Sequence, residues 1–298
     1  MRRAPWPILA FRLYLGLFAL FLAAPLVAAC LFAFNDSLFP ALPWRGFTLD
    51  WFFGTAEPKL GLFHDRRLMA SFATSGAIGV AVALLSTATG LCTAFLFERF
   101  AFPLKRLLYV LMIVPLVVPG IILGLSILVL ASGTASAIEA LTGGEVSALR
   151  PGSTLVVLGQ VSFLATVSTL ILGARLKKFD PALEEAALDL GAGRGRVLRT
   201  VTLPFLRPAI LASLITCFLV SFENFTTTLM LVGADPPLPI AMYDRMAKAG
   251  STPVLNAVSL VLVAGCGLLA LVSILVQREP GAARALRPNR HRTVGSPS

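Results

Sequence analysis

Six stretches, residues 13–34, 68–97, 107–131, 154–174, 209–232 and 254–276, carry a single charged side chain between them, Glu223. A helix that crosses about 30 Å of hydrocarbon needs about 20 apolar residues, and every stretch is that long. In lipid the backbone must satisfy its own N–H and C=O groups, which leaves helices or a closed barrel. Barrel strands alternate apolar and polar residues, and these stretches do not. The chain is therefore expected to be all-α, a polytopic membrane protein of six transmembrane helices. Residues 68–97 exceed one crossing, so that helix is expected to tilt or to begin outside the membrane. The first stretch is longer than the roughly 7–15 apolar residues of a secretory signal core and lacks a convincing small-x-small cleavage site followed by a mature soluble domain, so it is expected to be retained.

Composition narrows the class. Of 298 residues 57% are hydrophobic and 13% charged, against roughly 25% charged in soluble domains. The net charge of +10 raises the question of nucleic acid. The basic residues lie between apolar stretches rather than on one soluble face, and no nucleic-acid partner is expected. With the N-terminus inside, 18 Lys and Arg residues fall on inside segments and 7 on outside ones. That asymmetry predicts both termini in the cytoplasm and an even number of spans. Cys30, Cys92, Cys217 and Cys266 sit in apolar stretches with no C-x-x-C spacing, as packing residues rather than metal ligands.

The connections differ in character. Residues 35–67 hold Pro40, Pro43, Trp44, Trp51, Phe52 and Phe53, and aromatics beside a span are expected to anchor at the membrane interface. Residues 132–152 read as a polar, Gly-rich outer loop. Residues 277–298 are basic and Pro-containing without apolar periodicity, a composition expected to be disordered. The chain thus divides into a cytoplasmic segment 1–12, a membrane domain 13–276 and a cytoplasmic tail 277–298.

The largest inside connection, 175–208, is patterned. Asp180-Pro181 reads as an N-cap with proline at the first helical position. Glu184 and Glu185 follow in the first turns, favourable to the helix dipole. Ala182, Leu183, Ala186, Ala187 and Leu190 have helical spacing, and Gly191 and Gly193 end the helix. A second short helix is expected over 196–201, stopping at Leu203-Pro204. Two short helices with a glycine bend between them would lie under the membrane.

Polar residues within spans are candidates for a solute path. Glu223 with Asn224 lies midway along the fifth stretch. A carboxylate at that depth either lines the path and attracts a cationic solute, or hydrogen-bonds a neighbouring helix at a subunit interface. Gln160, Ser162, Thr166 and Ser168 are weaker candidates, since such residues commonly pack helices together. Pro115 and Pro119 are expected to kink the third span, and Gly120-x-x-x-Gly124 to allow a close helix contact. No G-x-x-x-x-G-K-[ST] phosphate loop occurs, so ATP chemistry would belong to another subunit. No H-E-x-x-H or G-x-S-x-G motif supports an intramembrane enzyme.

Glu185-Ala186-Ala187, three residues, Gly191, nine residues, Val201, one residue and Leu203-Pro204 resemble the EAA motif of the membrane subunits of binding-protein-dependent ATP-binding-cassette importers. Valine stands where isoleucine is usual. The segments FTLDWF (47–52), VPLVVPGIILGLSILVL (114–130), ARLKKFDPALEEAALDLGAG (174–193), SFENFTTTLMLVG (221–233) and LPIAMYDRMAKAGSTPVLNAVS (238–259) look like the spermidine/putrescine branch, and its second permease in particular. The resemblance implies a type I importer permease of the bacterial inner membrane, with coupling helices between spans four and five. Glu185 and Gly191 would sit at the contact with an ATPase dimer. A second permease, identical or homologous, and a periplasmic solute-binding protein would complete the system. A permease for another small solute fits the same motifs, and a secondary transporter would lack the coupling loop.

Overall fold

The computed structural model describes residues 6–250 and 252–277, and every regular element in them is helical. Besides two short 3-10 turns (Leu62–His64 and Ser147–Leu149), in chain order these are α1 (Trp6–Phe32), α2 (Asp50–Phe53), α3 (Arg66–Arg99), α4 (Lys105–Val117), α5 (Gly120–Thr142), α6 (Ser153–Leu176), α7 (Ala182–Asp189), α8 (Arg194–Val197), a π-turn (Leu198–Thr202), α9 (Leu203–Phe222), α10 (Thr226–Leu231), α11 (Leu238–Ala249) and α12 (Pro253–Gln277). Six of the described helices are long and apolar enough to cross a membrane. The expected basic tail falls on residues 278–298, outside the described residues, as do residues 1–5 of the N-terminal segment.

The core forms where α3, α6 and α9 pack on one another. Ile78, Val82, Leu155, Leu164 and Cys217 fill one cluster. Polar contacts run through the same seam: Ser213 Oγ lies 3.1 Å from Thr87 Oγ1 and donates to Ser168 Oγ at 2.7 Å. Ser168 thus packs helices together, and Thr166 Oγ1 donates to the Met112 carbonyl of α4 at 2.7 Å. Lipid supplies no hydrophobic drive between spans, so small residues and interhelical hydrogen bonds carry the association. By contrast α1 lies at the edge, touching α12, and its membrane-length window buries nothing inside the chain.

Three expectations about the spans need correction. The third stretch is not one helix over 107–131. α4 ends at Val117, Val118 is extended (φ −71°, ψ 129°), and the membrane-length helix is α5. Pro119 is the cause: its ring disfavours helical backbone at the preceding residue, and its nitrogen donates no hydrogen bond. Helix α5 then runs to Thr142, so much of the expected outer loop 132–152 is helical, and Gly143 closes it at φ +68°. The fifth stretch is likewise divided: α9 stops at Phe222, residues 223–225 break the helix, and α10 resumes.

The third correction concerns Leu203-Pro204, where the chain does not stop. Helix α8 passes through the π-turn directly into α9. The Leu203 N–H donates to the Leu198 carbonyl, five residues back, so the register has already shifted where Pro204 enters. Pro204 has no N–H to return to the preceding turn, and the π-turn is where the continuous helix accommodates it.

The segment after α1 also departs from expectation. Trp51 and Phe52 are 3% and 7% exposed, packed with Leu62, Leu68, Leu238, Val254 and Val258, rather than anchored at an interface. The indole N–H of Trp51 donates to the Asn35 carbonyl at 2.9 Å, which satisfies the one polar atom that would oppose burial. Asn35 also accepts the Arg45 N–H and donates to the Ala41 carbonyl, so it organises the turn. Trp44 and Phe53 remain exposed.

Candidate functional site

Helix α7 and its surroundings are built from local rules. Asp180 Oδ1 accepts the Ala182 N–H at 3.0 Å and caps the first turn. At the other end Gly191 adopts φ +83°. Its N–H donates to Leu188 at 2.8 Å, and the Ala192 N–H reaches back to Ala187 at 3.1 Å. These are the two bonds of a Schellman closure, which favours glycine because an L side chain is strained there. Gly193 is extended and opens α8. Glu185 and Ala186 are exposed on α7, Ala187 is half-buried, and Gly191 is exposed at the bend. Leu203 and Pro204 are half-buried in the start of α9.

The groups that hold α7 to the bundle lie outside the site residues expected from sequence. Glu184 Oε1 accepts two hydrogen bonds, from Arg99 Nη2 at the end of α3 (3.1 Å) and from Thr202 Oγ1 in the π-turn (2.6 Å). Thr202 is wholly buried. The Arg99 guanidinium also lies over the Phe179 ring, 5.2 Å from its centroid. Phe179 meets Phe205 edge-on at 5.1 Å, and Arg175 covers the far side at 4.1 Å. Each ring of this edge-on pair thus carries one guanidinium, an arrangement favoured by the ring quadrupole. Nothing local in the sequence marks Glu184, because its ion-pair partner is 85 positions away.

The second site is the break after α9. Glu223 ends that helix, its N–H donating to Leu219 at 3.2 Å, and its side chain is exposed. Asn224 Oδ1 accepts the Thr228 N–H at 3.3 Å and its hydroxyl at 3.1 Å, so it starts the next turn. Gln160, 1% exposed on α6, donates to Thr228 Oγ1 at 2.8 Å and accepts from Ser221 Oγ. One hydrogen-bonded chain, Ser221–Gln160–Thr228–Asn224, therefore spans the break. Gln160 does not face an open path: both ends of its amide are used inside the chain. Gly120 and Gly124 let α10 approach, since a Cβ at Gly120 would lie 2.3 Å from Thr226 Oγ1 and one at Gly124 2.7 Å from the Thr227 carbonyl. Among the described residues no cation pairs with the Glu223 carboxylate.

At the end of the bundle where α3 begins, a cleft of about 900 Å³ opens between α3 and α11, lined by Glu57, His64, Asp65, Asp235, Asp244 and Arg245. Asp65 caps α3, accepting the Arg67 and Leu68 N–H groups at 3.0 and 3.1 Å, and pairs with Arg245 of α11. Burial raises its carboxyl, but the Arg245 guanidinium and the two amides together outweigh burial and hold it below its ordinary value. Ser75 Oγ accepts the Leu238 N–H at 2.8 Å, a second tie between α11 and α3.

Six membrane-length helices, a bent pair of short helices running into one of them, and a polar interruption in that same span define a membrane-embedded, multi-pass protein. A family model described as "Binding-protein-dependent transport system inner membrane component" matches residues 86–279, from within α3 past the end of α12, and the chain belongs to that family. It is an inner-membrane permease of the importer type, not an enzyme. The putrescine transport system permease protein PotI of Escherichia coli (strain K12) is 28% identical over 273 residues, covering 91% of this chain and 90% of that protein. The spermidine/putrescine transport system permease protein PotC of the same strain is 27% identical over 260 residues, covering 87% and 90%. In fold the chain is similar to one in the crystal structure of a bacterial alginate ABC transporter in complex with alginate pentasaccharide-bound periplasmic protein. The TM-score there is 0.67 at 14% identity, covering 92% of this chain and 94% of that one.

Proposed function

We propose that the chain forms one half of the translocation path of an ATP-binding-cassette importer for a small polyamine of the putrescine or spermidine kind. The observation that carries the reading is the capped helix α7, closed by Gly191 and joined through a four-residue bend to α8, which runs through the π-turn into α9. A short rigid element joined to a span moves that span as a body when a partner pulls on it. Glu185, Ala186 and Gly191 present the exposed face of this element to an ATPase dimer. ATP binding and hydrolysis are assigned to that dimer. The basic-residue asymmetry supports α7 and both termini on the cytoplasmic side. Residues 13–276 form the membrane domain, flanked by 1–12 and 277–298, with lipid around it.

A second, homologous permease completes the path, and a periplasmic binding protein delivers the solute, as the alginate transporter with its bound periplasmic protein suggests by analogy. The polyamine assignment is supported by the two relatives and by Glu223. An exposed carboxylate at a helix break deep in a span is costly unless it meets water or a cation, and a polyamine supplies ammonium groups. Asn224 positions the break, and Gln160 acts from behind it, locking α10 to α6. Copurification of the ATPase subunit with the tagged chain tests the docking face. Glu185→Lys is expected to lower the ATPase retained by about ten-fold, the effect of ~1.4 kcal/mol of contact energy. Retention equal to wild type would contradict docking at this face.

A further inference from the structure

We propose that Glu184, the neighbour of the motif glutamate, is the positioning residue that transmits α7 movement to α3 as well as to α9. This rests on the importer reading and deepens it. Chain continuity already links α7 to α9 through α8 and the π-turn. Nothing covalent links α7 directly to α3, the helix at the centre of the bundle packing. Glu184 makes that link. Its single Oε1 atom holds Arg99 at the last residue of α3 and Thr202 inside the π-turn. The carboxylate therefore joins the ends of two spans that pack against each other.

The surroundings make the joint stiff. Arg99 is gripped from its other face by Phe179, which is buried with Leu176 and Leu206. Glu184 and Arg99 are about a quarter exposed (27% and 25%), so their attraction is less screened than that of an open surface pair. A second pair, Lys177 with Glu98 at 3.4 Å, bridges α3 and the residues after α6, but its lysine is 65% exposed and contributes less. Glu185 faces outward and makes none of these contacts. Adjacent carboxylates on α7 thus divide the work, one toward the partner and one toward the spans.

The test uses the assembled importer in vesicles with its ATPase, its second permease and a binding protein loaded with putrescine, reading uptake per ATP hydrolysed. Glu184→Gln keeps size and one acceptor oxygen for Arg99 and Thr202 but removes the charge. It should retain the ATPase subunit as wild type does, and lose at least about five-fold in uptake per ATP, the low end of inter-site coupling. Arg99→Gln should lose as much, and the double variant no more than either alone, because both break one joint. Arg99→Lys, which keeps the charge but loses the planar fork, should fall between. Unchanged uptake per ATP in Glu184→Gln, losses that multiply in the double variant, or release of the ATPase would overturn the inference. So would failure of both Glu184→Gln and Arg99→Lys to accumulate in the membrane, which would make the contact a folding requirement. Absence of ATP-driven uptake in wild-type vesicles would instead refute the importer reading itself.

Discussion

Replacing Gln160 with leucine separates a packing role from a path-lining role for the largest fully buried polar side chain on α6. Leucine is close in volume and suits the apolar surroundings of Leu155, Val156 and Leu164. The substitution removes two hydrogen bonds, Nε2 to Thr228 Oγ1 and Ser221 Oγ to Oε1. Interhelical hydrogen bonds in membrane proteins average about 0.6 kcal/mol, with maxima near 1.7, so the two bonds contribute roughly 1–3 kcal/mol. The lower part of that range is expected, for two reasons. Thr228 still donates to Asn224, and the Ser221 hydroxyl can turn to a carbonyl one turn back in α9. Equilibrium unfolding in mixed dodecylmaltoside and SDS micelles measures the loss. Ser221→Ala should cost less than Gln160→Leu, and the double variant should cost less than the sum, since both remove the same bond. Stability of Gln160→Leu within about 0.3 kcal/mol of wild type, or strict additivity with Ser221→Ala, would refute the network.

Three further outcomes follow from other parts of the molecule. Gly191→Ala places a side chain at φ +83° and should cost about 1–2 kcal/mol in local strain; weaker ATPase retention at unchanged membrane accumulation is the readout, and full retention would contradict the Schellman closure. The Asp65 carboxyl lies below its ordinary value of 3.8, so its contribution to stability is complete above that pH and disappears as pH falls through the lower folded-state value. Thermal melts of wild type and Asp65→Asn should therefore differ at neutral pH and converge in acid below about pH 4; a constant gap would remove the Asp65–Arg245 tie as its cause. Glu223→Gln should assemble normally yet take up putrescine at least about ten-fold more slowly, the effect of ~1.4 kcal/mol of lost attraction, and unchanged uptake and selectivity would end its role in the path.

Much of this architecture can be read from the chain because lipid imposes strict demands. Four stretches, 13–34, 68–97, 154–174 and 254–276, match helices to within several residues at each end, since each holds enough apolar length and no strong internal break. The helix α7 was equally plain: Asp180 and Gly191 are local signals, and local signals decide short helices. The breaks were harder. Hydropathy passes smoothly through Val118-Pro119, so a proline that ends a helix looks like one that only kinks it. At Glu223-Asn224 the polar pair was visible, but not that it divides the span, which depends on Gln160 and Thr228 from other positions. Trp51 and Phe52 were misplaced for a related reason: an aromatic beside a span suits an interface or a core equally, and Asn35 decides for the core. Glu184 shows the same limit, because a contact across 85 residues leaves no local periodicity to find.

The central claim is that this permease moves a polyamine on ATP hydrolysed by a docked partner. Uptake of labelled putrescine into vesicles tests it most directly, with the chain, its second permease and ATPase reconstituted, and ATP or the binding protein each left out in turn. Uptake that requires both ATP and the loaded binding protein is the result expected. Uptake that follows an imposed ion gradient and ignores ATP would contradict the account.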